Sequence, residues 1–379
     1  MRTYKFRIYP IKKQEKSLNQ SFDSCRFVYN QMLEYINNNE KIDRNDLQRQ
    51  IVILKEKYPE LKSTYSRTLQ YESQRLLYNL KGLSAKKKNG GKVGRLRFKG
   101  KRWFKTIMYI QSGYKLIESD KRFNILRLSK IGDIKILQHR DIEGCIKAII
   151  IKRKIDSWYV HIITDAKYKI DSGEDEVGID MGVINFLVTS KSEVIDNPLY
   201  MNKVLNRLKA LHQKLSRTIK GSKNRIKCCN QLSKVWEKID NQKKDFFHKV
   251  STKIINSSKF VAVEKLQISS MTNNKKNYNC RNIMDSSWRT FLNMLKFKAE
   301  SAGIQYEEVN PANTSKTCNR CGALKDMPTS IRTYSCDNCG LVIDRDLNAA
   351  INIFNIGKGL ANVGAISNIA KQEAISFRV

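Results

Sequence analysis

Two cysteine pairs constrain this chain more than any other feature. Cys318 and Cys321 form one Cys-x-x-Cys pair, Cys336 and Cys339 the other, and Gly322 and Gly340 follow them directly. Each pair can wrap two thiolates around one tetrahedral ion, with the glycine permitting the knuckle turn. Residues 313–340 are therefore expected to fold as a zinc ribbon, a segment too short for a core of its own. Ion closure contributes on the order of 10 kcal/mol to folding a segment of this kind. Four protein ligands close the coordination sphere, which makes the Zn²⁺ structural; a reactive dithiol is the competing reading. Cys25, Cys145, Cys228, Cys229 and Cys280 show no ligand spacing, and nine cysteines is an odd number for a disulfide framework.

A second pattern is acidic. The apolar run EVGIDMG reads as a strand ending at Asp180, and KFVAVEKL as a strand ending at Glu264. If the two are sheet neighbours, both carboxylates leave the same edge. DRDLNAAINIF reads as the start of a helix with Leu347, Ala350, Ile351 and Phe354 on its buried face, and Asp346 in its first turn. Asp344 is an ordinary helix N-cap, and Asp346 taken alone is a first-turn acid favoured by the helix dipole. Three converging carboxylates would either take up protons or bind metal, and hard oxygen ligands select Mg²⁺ or Mn²⁺.

Charge then restricts the partner. Lys and Arg total 71 against 36 Asp and Glu among 379 residues, a formal net charge of +35. Such a charge is best offset by a polyanion; lysine-rich solubility is the plainer alternative. No apolar run approaches the length of a membrane span, and MRTYKFRIYP has no signal-peptide segment, so a cytoplasmic location is expected, nucleoid-associated in a prokaryote. Residues 86–105 contain no acid. There Lys86, Lys87, Lys88, Lys92, Arg95, Arg97, Lys99, Lys101 and Arg102 interleave with Phe98, Trp103 and Phe104, a mixture suited to backbone neutralisation with stacking. Lys5 and Arg7 lie on the polar face of an opening strand, residues 2–9, that alternates Tyr4, Phe6 and Ile8. Helical periodicity covers about 13–37, 45–57 and 64–82, and short β-rich runs fill 107–165. Residues 200–257 read as two long helices joined near Gly221, with Leu232, Val235, Trp236 and Ile239 lining the second. His139, His161, His212 and His248 lie in unrelated contexts and are not expected to ligate metal.

With these motifs in view the chain resembles the TnpB family, transposon-encoded RNA-guided endonucleases related to compact type V CRISPR effectors. YKFRIYP, CRFVYNQ, GRLRFKGK, GSKNR and DFFHKVS are similar to family motifs, and GIDMG, VAVEKL, TSKTCNRCG…CDNCG and DRDLNAAINI match its split nuclease core. The resemblance implies an α/β multidomain chain. Its ribonuclease-H-like (RuvC) core would occupy 173–312 and 341–360, with a helical hairpin insert at 200–257 and the ribbon at 313–340. A wedge-like β-rich module, barrel-like in form, would take 1–12 and 95–172, and a helical recognition lobe 13–94; 361–379 stays unassigned. It further implies Asp180, Glu264 and Asp346 as catalytic ligands of two Mg²⁺ (or Mn²⁺). Asp346 is preferred over Asp344 because the family keeps an acid two residues before Asn-Ala-Ala. The implied partners are a guide RNA from the transposon end and double-stranded target DNA beside a short flanking motif. A nuclease-derived RNA-guided repressor and a transposase are the rival readings.

Overall fold

The computed structural model describes residues 1–39, 42–101, 103–119, 122–166, 173–266, 278–328 and 331–360. Arg102, residues 171–172 and the tail 361–379 lie outside the described residues. The chain divides into two compact units, Met1–Lys167 and Tyr168–Val379.

In the first unit, strand β1 (Arg2–Tyr9) buries Tyr4, Phe6 and Ile8 by strict alternation. Three helices follow, α1 (Lys12–Asn37), α2 (Arg44–Lys57) and α3 (Ser66–Lys88), before strands β2 (Thr106–Ile110), β3 (Tyr114–Ile117), β4 (Asn124–Leu128), β5 (Gly132–Leu137), β6 (Ile146–Lys154) and β7 (Ser157–Thr164). These form one antiparallel sheet in the order β2-β6-β7-β1-β5-β4-β3. Because β1 pairs with β7, Lys5 opposite His161, the helices are an insertion between the first strand and the rest. Tyr114, opening the edge strand β3, donates its hydroxyl to the Ile146 carbonyl of β6 at 2.9 Å, which curls the sheet. α3 continues past residue 82 to Lys88, so Lys86, Lys87 and Lys88 form its last turn, where cations oppose the negative end of the helix dipole.

The second unit is built on β8 (Asp175–Met181), β9 (Asn185–Thr189), β10 (Val194–Asp196), β11 (Ser258–Glu264) and β12 (Gln305–Val309), in the order β10-β9-β8-β11-β12. The hairpins on one side are antiparallel, while β8, β11 and β12 run parallel. Helices α4 (Leu205–Ser216) and α5 (Lys223–Ser257) lie between β10 and β11, and α6 (Tyr278–Ser286) and α7 (Trp288–Ala302) between β11 and β12. A small hairpin, β13 (Thr333–Ser335) with β14 (Val342–Asp344), leads into α8 (Arg345–Gly357). On one sheet face Val177, Ile179, Val261 and Val263 pack against Phe247, Ile254, Phe291 and Leu295 of α5 and α7. On the other, Phe260, Ala262 and Val309 meet Ile353 of α8. Gly178 permits that second contact: a Cβ there would run into the Ala350 carbonyl and the backbone of Phe354.

Two details of helix facing differ from the periodicity. Trp236 is 42% exposed, while Val235 and Ile239 are buried against Leu208 of α4. On α8 the buried residues are Asp346, Asn348, Ala349, Ala350, Asn352 and Ile353, with Leu347, Ile351 and Phe354 only partly covered. The helix is covered from two directions, so its buried arc includes polar residues. No helix among the described residues is long and apolar enough to cross a membrane.

Candidate metal centres and nucleic-acid interface

The parallel register pairs Val263 with Ile179, so Glu264 and Asp180 come next on adjacent strands, which run about 4.8 Å apart. Alternation also sets their direction. Ile179 and Val263 face α5 and α7, while Gly178 and Ala262 face α8, which places Asp180 and Glu264 on the α8 side. Asp346 enters from the first turn of α8. Asp344 caps that helix, its Oδ1 accepting from the amides of Asp346 at 2.9 Å and Leu347 at 3.0 Å, and stays exposed while Asp346 is buried.

The electrostatics express this convergence. Burial first, then the charges of Glu264 and Asp346, push the Asp180 carboxyl well above the usual carboxylate range; Arg345 offsets part of the rise. Burial also raises Glu264, opposed by the Thr314 hydroxyl, which donates to Oε1 at 3.2 Å. Two arginines hold Asp346. Arg345 donates to Oδ1 through Nη2 at 3.1 Å and Nε at 3.3 Å, and Arg332 donates to Oδ2 at 3.3 Å.

Thr314, Arg332 and Arg345 were not singled out from the sequence, nor were Asn348 and Asn352. The two asparagines stand one turn apart on α8. Asn348 Nδ2 donates to the Thr317 carbonyl at 2.8 Å, and its Oδ1 accepts from the Asn319 amide at 3.0 Å. Asn352 Nδ2 donates to the carbonyls of Thr314 at 2.8 Å and Thr317 at 2.7 Å. They tie the cysteine knuckle to the helix that carries Asp346. The available signal was a polar i, i+4 pair within an otherwise apolar helix.

The four cysteine sulfurs lie within 4.8 Å of one another. Cys318 is 3.6 Å from Cys339, and Cys321 is 3.5 Å from Cys336. A tetrahedral zinc with Zn–S near 2.3 Å needs sulfurs about 3.8 Å apart, so the donor set fits one ion. Gly322 and Gly340 take φ of 74° and 70°, the left-handed conformation that turns each knuckle. Burial pushes the Cys318 thiol up to about 12, a cost that a cation among the four sulfurs would offset. Among the described residues no other group of three or more His, Cys, Asp or Glu is gathered this tightly. The carboxylates of Asp180, Glu264 and Asp346 are not gathered that closely, and the guanidinium groups of Arg345 and Arg332 lie against Asp346.

In the basic segment Lys92, Arg95, Arg97, Phe98 and Lys101 are exposed, and Trp103 is 86% exposed. Phe104 is not available for stacking: it is buried in the core beneath the Arg75 guanidinium, 5.1 Å from its ring centre. Asn30 of α1 clamps the loop, its amide donating to the Lys99 carbonyl at 3.1 Å and its Oδ1 accepting from the Lys99 N–H at 2.8 Å. Lys5 lies over the Tyr159 ring at 4.3 Å, and Arg7 donates to Ser157 Oγ at 3.0 Å. A second acid-free run, residues 197–236, carries ten Lys and Arg and covers α4 and the first part of α5.

Comparison with known proteins places this architecture. Residues 164–275 match a family described as "Probable transposase", residues 288–353 a "Cas12f1-like, TNB domain", and residues 1–41 a "Helix-turn-helix domain". Here the described part of that last stretch is β1 followed by one helix, α1. A "TnpB-like protein" of Methanocaldococcus jannaschii is 33% identical over 161 residues, 39% of this chain and 56% of that protein. The chain is similar to TnpB-like proteins. Proteins similar over nearly the full length include a "Putative RNA-guided DNA endonuclease" of Streptomyces pristinaespiralis, 28% identical over 96% of this chain and 91% of that one. Another is the Escherichia coli K12 protein named "Putative RNA-guided DNA endonuclease InsQ", 26% identical over 96% and 94%. Among solved structures, the protein of a Cas12f1–sgRNA–target DNA complex superposes with a TM-score of 0.55 at 17% identity, covering 93% of this chain and 98% of that one, a likeness of fold.

Proposed function

We propose that this chain is a TnpB-family RNA-guided DNA endonuclease of an insertion sequence. Its second unit would be a ribonuclease-H-like (RuvC) nuclease with an inserted zinc ribbon, and its β-rich and helical parts would hold guide RNA and flanking DNA. The observation that carries this reading is that Asp180 and Glu264 follow paired positions at one end of a parallel strand pair, with Asp346 near enough for its charge and that of Glu264 to raise the Asp180 carboxyl. A protein that only bound nucleic acid would have no use for that arrangement. Asp180, Glu264 and Asp346 would hold two Mg²⁺ or Mn²⁺, and the four cysteines one Zn²⁺. The chemistry such divalent ions supply when bound is activation of a water and stabilisation of the leaving oxygen of a phosphodiester. Asp180 brings a carboxyl whose ionisation is opposed by its surroundings and so is favoured by cation binding. Thr314 orients Glu264, and Asp344 fixes the helix turn that presents Asp346. The exposed Lys and Arg of residues 86–101 would neutralise backbone phosphates.

The test is to purify the protein with whatever RNA it retains, sequence that RNA, and incubate the complex with a matching DNA and Mg²⁺. A discrete RNA and cutting of the matched DNA are expected. Tight binding without cutting would favour the repressor reading, and the absence of a discrete RNA would remove the guided reading altogether.

A further inference from the structure

We infer that Arg332, carried by the cysteine ribbon, is a removable cation cap on Asp346 that must leave before the acid edge loads a divalent ion. This rests on the reading of Asp180, Glu264 and Asp346 as cation ligands. Both oxygens of Asp346 are engaged by guanidinium groups, Oδ1 by Arg345 and Oδ2 by Arg332. A Mg²⁺ or Mn²⁺ ligand oxygen must approach to about 2.1 Å, and a guanidinium on that oxygen takes up one of its two lone pairs and sets a positive charge against the incoming ion.

The two arginines differ in freedom. Arg345 is mostly covered, its side chain 15% exposed, and is held once more by Nη1 donating to the Ile331 carbonyl at 3.2 Å, while its backbone N–H donates to the Arg332 carbonyl at 2.7 Å. The Arg332 side chain is 44% exposed, against 10% for the carboxylate it holds, so it can swing into solvent. Arg332 immediately precedes β13, whose first residue, Thr333, pairs with Asp344, the cap of the helix bearing Asp346. The hairpin that shapes the ribbon therefore also sets the cap, and ion binding would be reduced by the fraction of molecules in which the cap is closed.

The experiment is a Mn²⁺ titration followed by electron paramagnetic resonance, on the full-length, zinc-loaded protein without nucleic acid. Wild type is compared with Arg332→Gln, Arg332→Lys and Asp180→Asn. Losing a charge-assisted pair on a nearly buried carboxylate is expected to tighten Asp180-dependent Mn²⁺ binding on the order of tenfold in Arg332→Gln, with zinc content unchanged. Arg332→Lys should stay near wild type, because the cap's charge is kept. Mn²⁺ binding that needs Asp180 but is unchanged or weakened in Arg332→Gln overturns the cap alone. Binding indifferent to Asp180→Asn overturns the cation reading of the acids, and the cap with it. Should Arg332→Gln lose zinc, a series of smaller changes decides: Arg332→Lys and Arg332→Met must then order Mn²⁺ affinity by loss of charge, and any other order rejects the cap.

Discussion

Asp180 and Glu72 are carboxylates that burial opposes, with opposite meanings. For Asp180 the folded-state ionisation is raised, so the folded chain binds a proton more tightly than the unfolded one. The associated stability is present at low pH and is lost as pH rises past the ordinary carboxylate range. Asp180→Asn removes that cost. Without added divalent ions at neutral pH the variant should melt higher than wild type, and it should not cut DNA. Calorimetry showing a lower melting point would mean that Asp180 is a stabilising structural acid. Glu72 lies in the other unit, fully buried on α3, with Arg75 at 3.4 Å and its Oε1 lacking any hydrogen-bond partner. Burial, partly offset by Arg75, raises it from 4.5 to about 7. The sign is the same: its contribution is whole below pH 4.5 and is lost as pH climbs through about 7. Urea unfolding should give a first unit more stable at pH 6 than at pH 8, on the order of 1–2 kcal/mol, and Glu72→Gln should flatten that slope. An unaltered slope in the variant would assign the pH effect elsewhere.

At the level of elements, the acid edge depends on α8 lying directly on β8 and on the ribbon being moored to α8. Gly178→Ala places a methyl group against helix backbone that cannot move aside, and should cost about 1–3 kcal/mol while displacing Asp346 from Asp180. Cutting by the variant should fall even at temperatures where it stays folded; full activity would show that the helix can shift freely. Asn352→Leu leaves the Thr314 and Thr317 carbonyls short of a buried donor and should cost a similar amount. Cys336→Ser should lose stoichiometric zinc, as measured by atomic absorption. These elements also mark how far a single sequence can be read. Strand ends at Asp180 and Glu264 were legible because alternation and an apolar run need no knowledge of the rest of the chain. The ribbon was legible because its ligand spacing is local. Arg332 and the asparagines of α8 were not, since their partners lie 14 to 38 residues away and a polar residue carries no sign of what it will meet. Phe104 was misjudged for the same reason: aromatics among lysines look alike whether they stack on a base or on a core.

For the whole molecule the dominant quantity is the net charge of +35, set against a core fraction typical of an ordinary folded chain, 41% hydrophobic. Charge of that size opposes folding by self-repulsion and favours any state in which phosphates sit among the lysines. Nucleic-acid binding should therefore weaken linearly in log–log terms with added salt, by a slope of about −0.9 per phosphate contacted on duplex DNA. The last turn of α3 offers three adjacent exposed lysines, Lys86, Lys87 and Lys88. Changing all three to Ala removes nothing from the core, so the fold should hold. If each meets a phosphate, the slope should become shallower by up to about 2.7, and binding should weaken most at low salt. Cutting at saturating DNA should be unchanged, because none of the three is near the acids in sequence or belongs to the second unit. Fluorescence anisotropy at a series of KCl concentrations gives the slope directly. A variant whose slope matches wild type would remove these lysines from the interface and leave the acid-free run at 197–236 as the stronger claimant for the phosphate backbone.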